Sequence, residues 1–238
     1  MPGLQLFRFF ATPALAPAGQ DTRAPLGGYE RATNAQQRRL VAAYDVWAAE
    51  TKRQLLAATN KGGDGDFLAR IVRARMPDLQ QRMIDESNAG IRAAVQVGVG
   101  RELAPTVEST TRALLAQNHL LIRESLIPGI ELNLVDAVKA GAASDRKALD
   151  TAFNNLRHRP ASYAGGAWVA IFEAQRAAGQ AQEQETGEKQ RVKWELDPNA
   201  QHCSATPGFH GCPDLAKEYD SWEGLPTVPA GLVSCRGL

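Results

Sequence analysis

All three cysteines of this 238-residue chain, Cys203, Cys212 and Cys235, fall near its carboxy terminus, in the company of His202 and His210. Thiolate and imidazole are the donors that tetrahedral Zn2+ takes. Three thiolates leave one position to close, by His210 or His202, and the set Cys203, His210, Cys212 and Cys235 would hold a structural zinc. Eight residues separate Cys203 from Cys212, against the roughly two to four of a zinc knuckle. A Cys–Cys bridge and free thiols therefore stay open beside the metal. A deaminase-type catalytic zinc is not expected, because no His-x-Glu stands upstream of a Pro-Cys-x-x-Cys.

The segment around these residues is rich in turn formers and poor in aliphatic side chains, so burial alone is not expected to shape it. A metal, a disulfide or another chain must fix it. Residues 195–238 carry two basic side chains against six acidic ones, a balance of −4, which leaves +5 for residues 1–194. A nucleic-acid-reading zinc finger would be the basic part of its protein, whereas this is the acidic part. The tail therefore reads as a protein-contacting or self-folding module.

Other chemistry is sparse. There is no P-loop, no G-x-S-x-G, no H-E-x-x-H and no complete G-x-G-x-x-G after a strand. Glu183 and Glu185 form an E-x-E, a spacing that some ADP-ribosyltransferases use. Here it lies in the polar end of a helix without the strand scaffold of such an enzyme, and it reads as a solvated face. His119 and His158 are single helical histidines suited to surface or packing roles. Trp168 reads as core. The expectation is a non-enzymatic protein.

The elements that would carry these residues are mostly helices. The chain has 44% hydrophobic residues and a net charge of +1, with a mean hydropathy of −0.31. It has no apolar run long enough to span a membrane and no global basic field. Residues 1–32 are expected to form an extended arm, mobile or laid along a neighbouring subunit. Pro13, Pro17, Pro25, Gly27 and Gly28 oppose a regular helix there, and Arg8 interrupts what would be a secretory apolar block.

From Thr33, the spacing of Leu40, Tyr44, Trp47, Thr51 and Leu55 predicts a helix. The glycines around Lys61 end it, and Asp64 or Asp66 caps the next. That next helix, 66–75, is expected to stop before Pro77, with another over 78–97 that Gly98 can end. Pro105 opens a further helix that Pro128-Gly129 breaks. Shorter helices follow over 130–140 and 144–156, the second with Ser144 as N-cap. A last one after Pro160 carries Trp168, Ile171 and Phe172 and fades from Gln180. Residues 191–196 alternate like a strand. The fold class is mainly α, in three parts: the arm (1–32), a multi-helix body (33–190), and a small irregular Cys/His-containing module with short strands (191–238).

The order of motifs in the second half resembles a known family. Asn118-His119-Leu120-Leu121-Ile122-Arg123 is followed by a helix pair joined at Gly141-Ala142-Ala143-Ser144, then by the Trp168 helix with its polar end. Val192-Lys193-Trp194, Asp197, Cys203, Cys212-Pro213-Asp214-Leu215, Leu225-Pro226-Thr227-Val228-Pro229 and Ser234-Cys235-Arg236 come after it. This series, over about residues 105–238, is similar to the phage head-morphogenesis family, the Mu protein F-like minor head proteins of tailed phages. The family's close Cys pair is stretched here to Cys203 and Cys212, and the last Cys of its terminal Cys-Arg-Cys is Gly237. An inherited metal site would therefore need His210 beside the three thiolates.

The resemblance implies a virion structural protein acting in head assembly near the portal, and in DNA packaging or exit. Its implied partners are the portal protein, the major capsid protein and, non-specifically, packaged DNA, with no membrane involved. Several copies in a symmetric assembly are implied, made in the host cytoplasm and carried in the virion. Two rival classes fit the residues: a helical adaptor with a zinc-stabilised tail, and an ADP-ribosyltransferase-like enzyme.

Overall fold

A computed structural model describes residues 7–11, 26–196 and 217–225. It is mainly helical. The helices are α1 (Leu26–Thr59), α2 (Gly65–Leu103), α3 (Glu108–Leu121), α4 (Ile127–Lys139), α5 (Arg146–Leu156), α6 (His158–Ser162) and α7 (Gly165–Thr186). Short strands β1 (Phe7–Ala11), β2 (Val192–Leu196) and β3 (Glu218–Tyr219) form one antiparallel sheet in the order β1-β2-β3. No described helix is long and apolar enough to cross a membrane. The chain divides into two compact units, one of residues 34–90 and 114–164, the other of 1–33, 91–113 and 165–238.

The first unit is built on the stripe that the sequence announces. Leu40, Tyr44, Trp47, Thr51 and Leu55 of α1 are all buried. They pack with Leu68, Val72, Met76, Leu79 and Met83 of α2 and with apolar side chains of α4 and α5. Trp47 lies between Tyr44 and Phe153, with ring centroids 5.8 and 5.9 Å away. Both polar handles are satisfied: the Trp47 indole donates to the Arg75 carbonyl at 2.9 Å and the Tyr44 hydroxyl to the Phe153 carbonyl at 2.8 Å. Burial pushes the Tyr44 phenol well above its ordinary range. At the rim, Glu50 receives Arg75 at 2.7 Å and Arg82 at 3.2 Å, and both guanidinium groups also pair with Asp78.

Three expected breaks do not occur where punctuation alone would put them. Helix α2 runs through Pro77. A proline inside a helix costs about 3 kcal/mol, but Leu68, Val72, Met76, Leu79 and Met83 form one buried stripe across it. Burial at about 1.5–3 kcal/mol per side chain outweighs that cost. Pro77 itself is exposed, so its ring displaces no packing. Further on, α2 passes Gly98, and the non-helical residue is Gly100, at φ +81 and ψ 163. Pro128-Gly129 does not break the third helix either. A π turn over Ile122–Leu126 joins α3 to α4, and the Ile127 amide reaches back to the Ile122 carbonyl. That shift of register puts Pro128 in the first turn of α4, where a missing N–H costs least.

Two starts also differ. Helix α1 begins at Leu26, through Gly27 and Gly28, because adding turns to a nucleated helix is far cheaper than starting one. Helix α5 is capped by Asp145, whose side chain accepts from the Lys147 amide at 2.9 Å. Ser144 instead donates its hydroxyl to the Gly141 carbonyl at 2.7 Å. The expected cap before α2 is present, with Asp64 Oδ1 accepting from the Phe67 amide at 2.7 Å.

A polar seam crosses α1, α2 and α3 in the first unit. Asn118 donates to the Ser87 hydroxyl, and His119 Nε2 lies 2.6 Å from Asn88 Oδ1. One turn on, the Gln36 amide is buried directly over Gly90, where an added Cβ would lie 1.3 Å from its Oε1. Among the described residues neither polar atom of that amide has a hydrogen-bond partner.

In the second unit, Trp168 and Phe172 stack with centroids 6.2 Å apart. Gly98 lets α2 approach α7, since a Cβ there would lie 2.9 Å from the Ile171 carbonyl oxygen. The part of the amino-terminal arm that is described does not extend away from the chain. β1 pairs antiparallel with the chain's own β2, from Phe7 opposite Leu196 to Ala11 opposite Val192. Residues 1–6 and 12–25 of the arm lie outside the described residues.

Candidate functional site

The end of α7 is where the carboxy-terminal module is fastened. Gly187, at φ +72, closes the helix, its amide bonding the Glu183 carbonyl at 2.9 Å, and the Glu188 amide is received by the Thr186 hydroxyl at 3.2 Å. This turn sends the chain into β2. Across β2, Val192 faces Tyr219 and Lys193 faces Glu218 of β3. Immediately after β3 the chain folds into a small plug. The Gly224 amide donates to the Ser221 hydroxyl at 3.2 Å and the Leu225 amide to the Trp222 carbonyl at 3.3 Å. Tyr219, Trp222 and Leu225 are buried.

Trp222 seats on α7 in a socket that only glycine provides. A Cβ on Gly179 would come within 2.4 Å of the indole. Four polar contacts line the rest. The Glu183 carboxylate accepts the Trp222 amide at 3.0 Å and, through the same oxygen, the Gln190 amide at 2.8 Å. Gln180 donates to the Trp222 carbonyl at 3.3 Å, and the Trp222 indole donates to Gln190 Oε1 at 3.2 Å. Hydrogen bonds to a charged acceptor are the stronger kind, worth about 1.5–3 kcal/mol each. Glu183 is thus half-buried and holds two backbone amides, which corrects its reading as part of a solvated face, whereas Glu185 is exposed. No local pattern marks this role, because the tryptophan it serves is 39 residues away.

This fastening bears on the sequence-derived ligands by position. His202, Cys203, His210 and Cys212 belong to the excursion between β2 and β3, whose two ends the Val192–Tyr219 and Lys193–Glu218 pairs hold side by side. Cys235 follows the plug by ten positions. The candidate zinc ligands Cys203, His210, Cys212 and Cys235 all lie outside the described residues. Among the described residues no group of three or more His, Cys, Asp or Glu side chains could hold a metal ion. At its described end the segment is anchored by apolar burial and by contacts with α7, a source of order beside the metal, disulfide or partner chain that composition suggests.

The remaining singled-out residues take packing positions. His119 is half-buried against Asn88, and His158 is exposed. In the motif 118–123, Asn118 and Ile122 are buried, while Leu120, Leu121 and Arg123 face outward. An open groove of about 580 Å3 lies at the turn between α1 and α2, lined in part by Lys61, Asp64, Phe67 and Ile71. No protein-family model matches the chain, and neither a curated protein nor a solved structure matches it.

Proposed function

We propose that this chain is a minor head protein of a tailed phage, a non-enzymatic structural component that acts in head assembly near the portal and in DNA packaging or exit. The observation that carries the reading is the ordered motif series from Asn118 to Arg236. Its partners are the portal and major capsid proteins, with packaged DNA contacted non-specifically. The positive balance of residues 1–194 suits a neighbour of DNA that does not grip it, because tight binding needs a denser basic face. Copies gather in a symmetric assembly in the host cytoplasm and persist in the virion.

In this reading Cys203, His210, Cys212 and Cys235 hold a structural Zn2+ that orders the excursion between β2 and β3. The motif strand Val192-Lys193-Trp194 is part of β2, the central strand of the sheet, so one of the motifs that carry the resemblance also anchors the module. The test is a reconstruction of the phage particle combined with mass spectrometry of purified virions. A few copies at the portal vertex are expected. Absence of the chain from virions, or presence without portal contact, would overturn the reading. Elemental analysis of the purified protein is expected to give about one zinc per chain.

A further inference from the structure

The outer face of α3 and α4 carries a pattern that the core does not use. Ala116, Leu120, Glu124, Pro128 and Leu132, one at every fourth position, are all exposed, Leu120 by 50% and Leu132 by 61%. In a regular α-helix, positions four apart drift by about 40° around the axis. The π turn over Ile122–Leu126 is wider than an α turn, so it takes up that drift in the middle of the row and stacks Leu120, Glu124 and Pro128 along one line. The next positions outward carry opposite charges. Arg112 is 74% exposed, with Glu108 of its own helix 3.3 Å away. Asp136 is exposed and has no ion-pair partner among the described residues.

This row is complementary to itself. A two-fold axis at Glu124 sets a second copy antiparallel, with Ala116 opposite Leu132, Leu120 opposite Pro128 and Arg112 opposite Asp136. Each leucine then meets a smaller side chain, and each end charge meets its opposite. Arg123, 61% exposed and 3.0 Å from Glu124, stands beside the axis and offsets the approach of the two Glu124 carboxylates. We propose that this row is the contact of a two-fold antiparallel dimer of the chain. A partner of another sequence would give no reason for the two ends of the row to complement each other. The row is about 36 Å long on a helix about 10 Å wide. Two such faces bury less than the roughly 1,200 Å2 of a standard interface, so the dimer is a weak one that fills at about 100 μM protein. The inference goes beyond the proposed function and does not rest on it, since absence of the chain from virions would leave it standing.

The test is sedimentation velocity on the purified full-length chain, under reducing conditions so that disulfide-linked copies are not counted. Wild type is expected to pass from monomer to dimer between about 1 and 300 μM. Leu120→Glu should stay monomeric throughout; Leu132→Glu takes its place if the first variant loses helical circular dichroism. Arg112→Glu and Asp136→Lys should each weaken the dimer about fivefold or more, because each sets like charges opposite one another. The double variant should recover to within about twofold of wild type, a return that only the antiparallel register allows. Wild type that remains monomeric at about 300 μM overturns the proposal. So does a dimer that ignores Leu120→Glu, or one that the double variant fails to restore, since it would use another face.

Discussion

Trp47 and Trp222 are both buried, both donate their indole N–H, and yet hold the molecule in different ways. Trp47 is wholly enclosed by apolar side chains of the first unit, among them Tyr44 and Phe153, within a core drawn from four helices. Trp222 rests on one glycine of one helix, and hydrogen bonds to Gln180, Glu183 and Gln190 do much of the holding. In the first case order is shared among many non-directional apolar contacts, with a single directional bond from the indole to the Arg75 carbonyl. In the second it is concentrated in a few directional ones. Regions of the first kind unfold as a whole, and regions of the second kind open locally.

The strongest way to break the comparison is Trp47→Ala. It should destabilise the first unit by about 3–5 kcal/mol, since a large core aromatic is lost together with the donor to the Arg75 carbonyl. Urea unfolding followed by far-ultraviolet circular dichroism measures this, and a loss below about 1 kcal/mol would mean that Trp47 is not the centre of that core. Gly179→Val should cost about 2–3 kcal/mol, felt only by the plug, because its side chain collides with the indole of Trp222. Hydrogen exchange is expected to show lost protection at the Trp222, Gly224 and Leu225 amides with the helices unchanged. Equal loss of protection in α1 and α2 would erase the distinction between the regions.

The smallest expected effect has the opposite sign and sharpens the picture of the core. Gln36→Met keeps length and shape while removing a buried amide that lacks hydrogen-bond partners over Gly90. It should stabilise the protein by about 1 kcal/mol, because an unsatisfied buried polar group costs about 1–3 kcal/mol. The midpoint of urea unfolding reads it. A lower midpoint would show that the amide does satisfy its donors and acceptor in solution.

Much of the first unit, and one strand of the second, is legible in the amino-acid sequence. The stripe Leu40, Tyr44, Trp47, Thr51 and Leu55 is buried as its spacing requires, and the Asp64 cap and the strand at Val192 occur where expected. The errors cluster at proline and glycine. Pro77, Pro128, Gly27 and Gly28 are local signals, and each was overruled by something a local reading cannot weigh: burial on a neighbouring helix, a shift in hydrogen-bond register, or a helix already nucleated. The socket was less legible still. Gly179, Glu183 and Trp222 are ordinary residues in sequence, and their relation exists only once β2 and β3 have brought the chain back to α7.

The order of the amino acids by itself determined that the protein is mainly helical, which face of α1 is apolar, and that its thiols and two of its histidines share one segment. Those properties are periodic or compositional, and neighbours along the chain decide them. Tertiary structure alone decided that α2 survives its proline, that Glu183 binds backbone amides, and that a glycine on α7 receives a tryptophan. Each depends on the free energy of contacts between residues far apart in sequence, and no local pattern encodes that quantity.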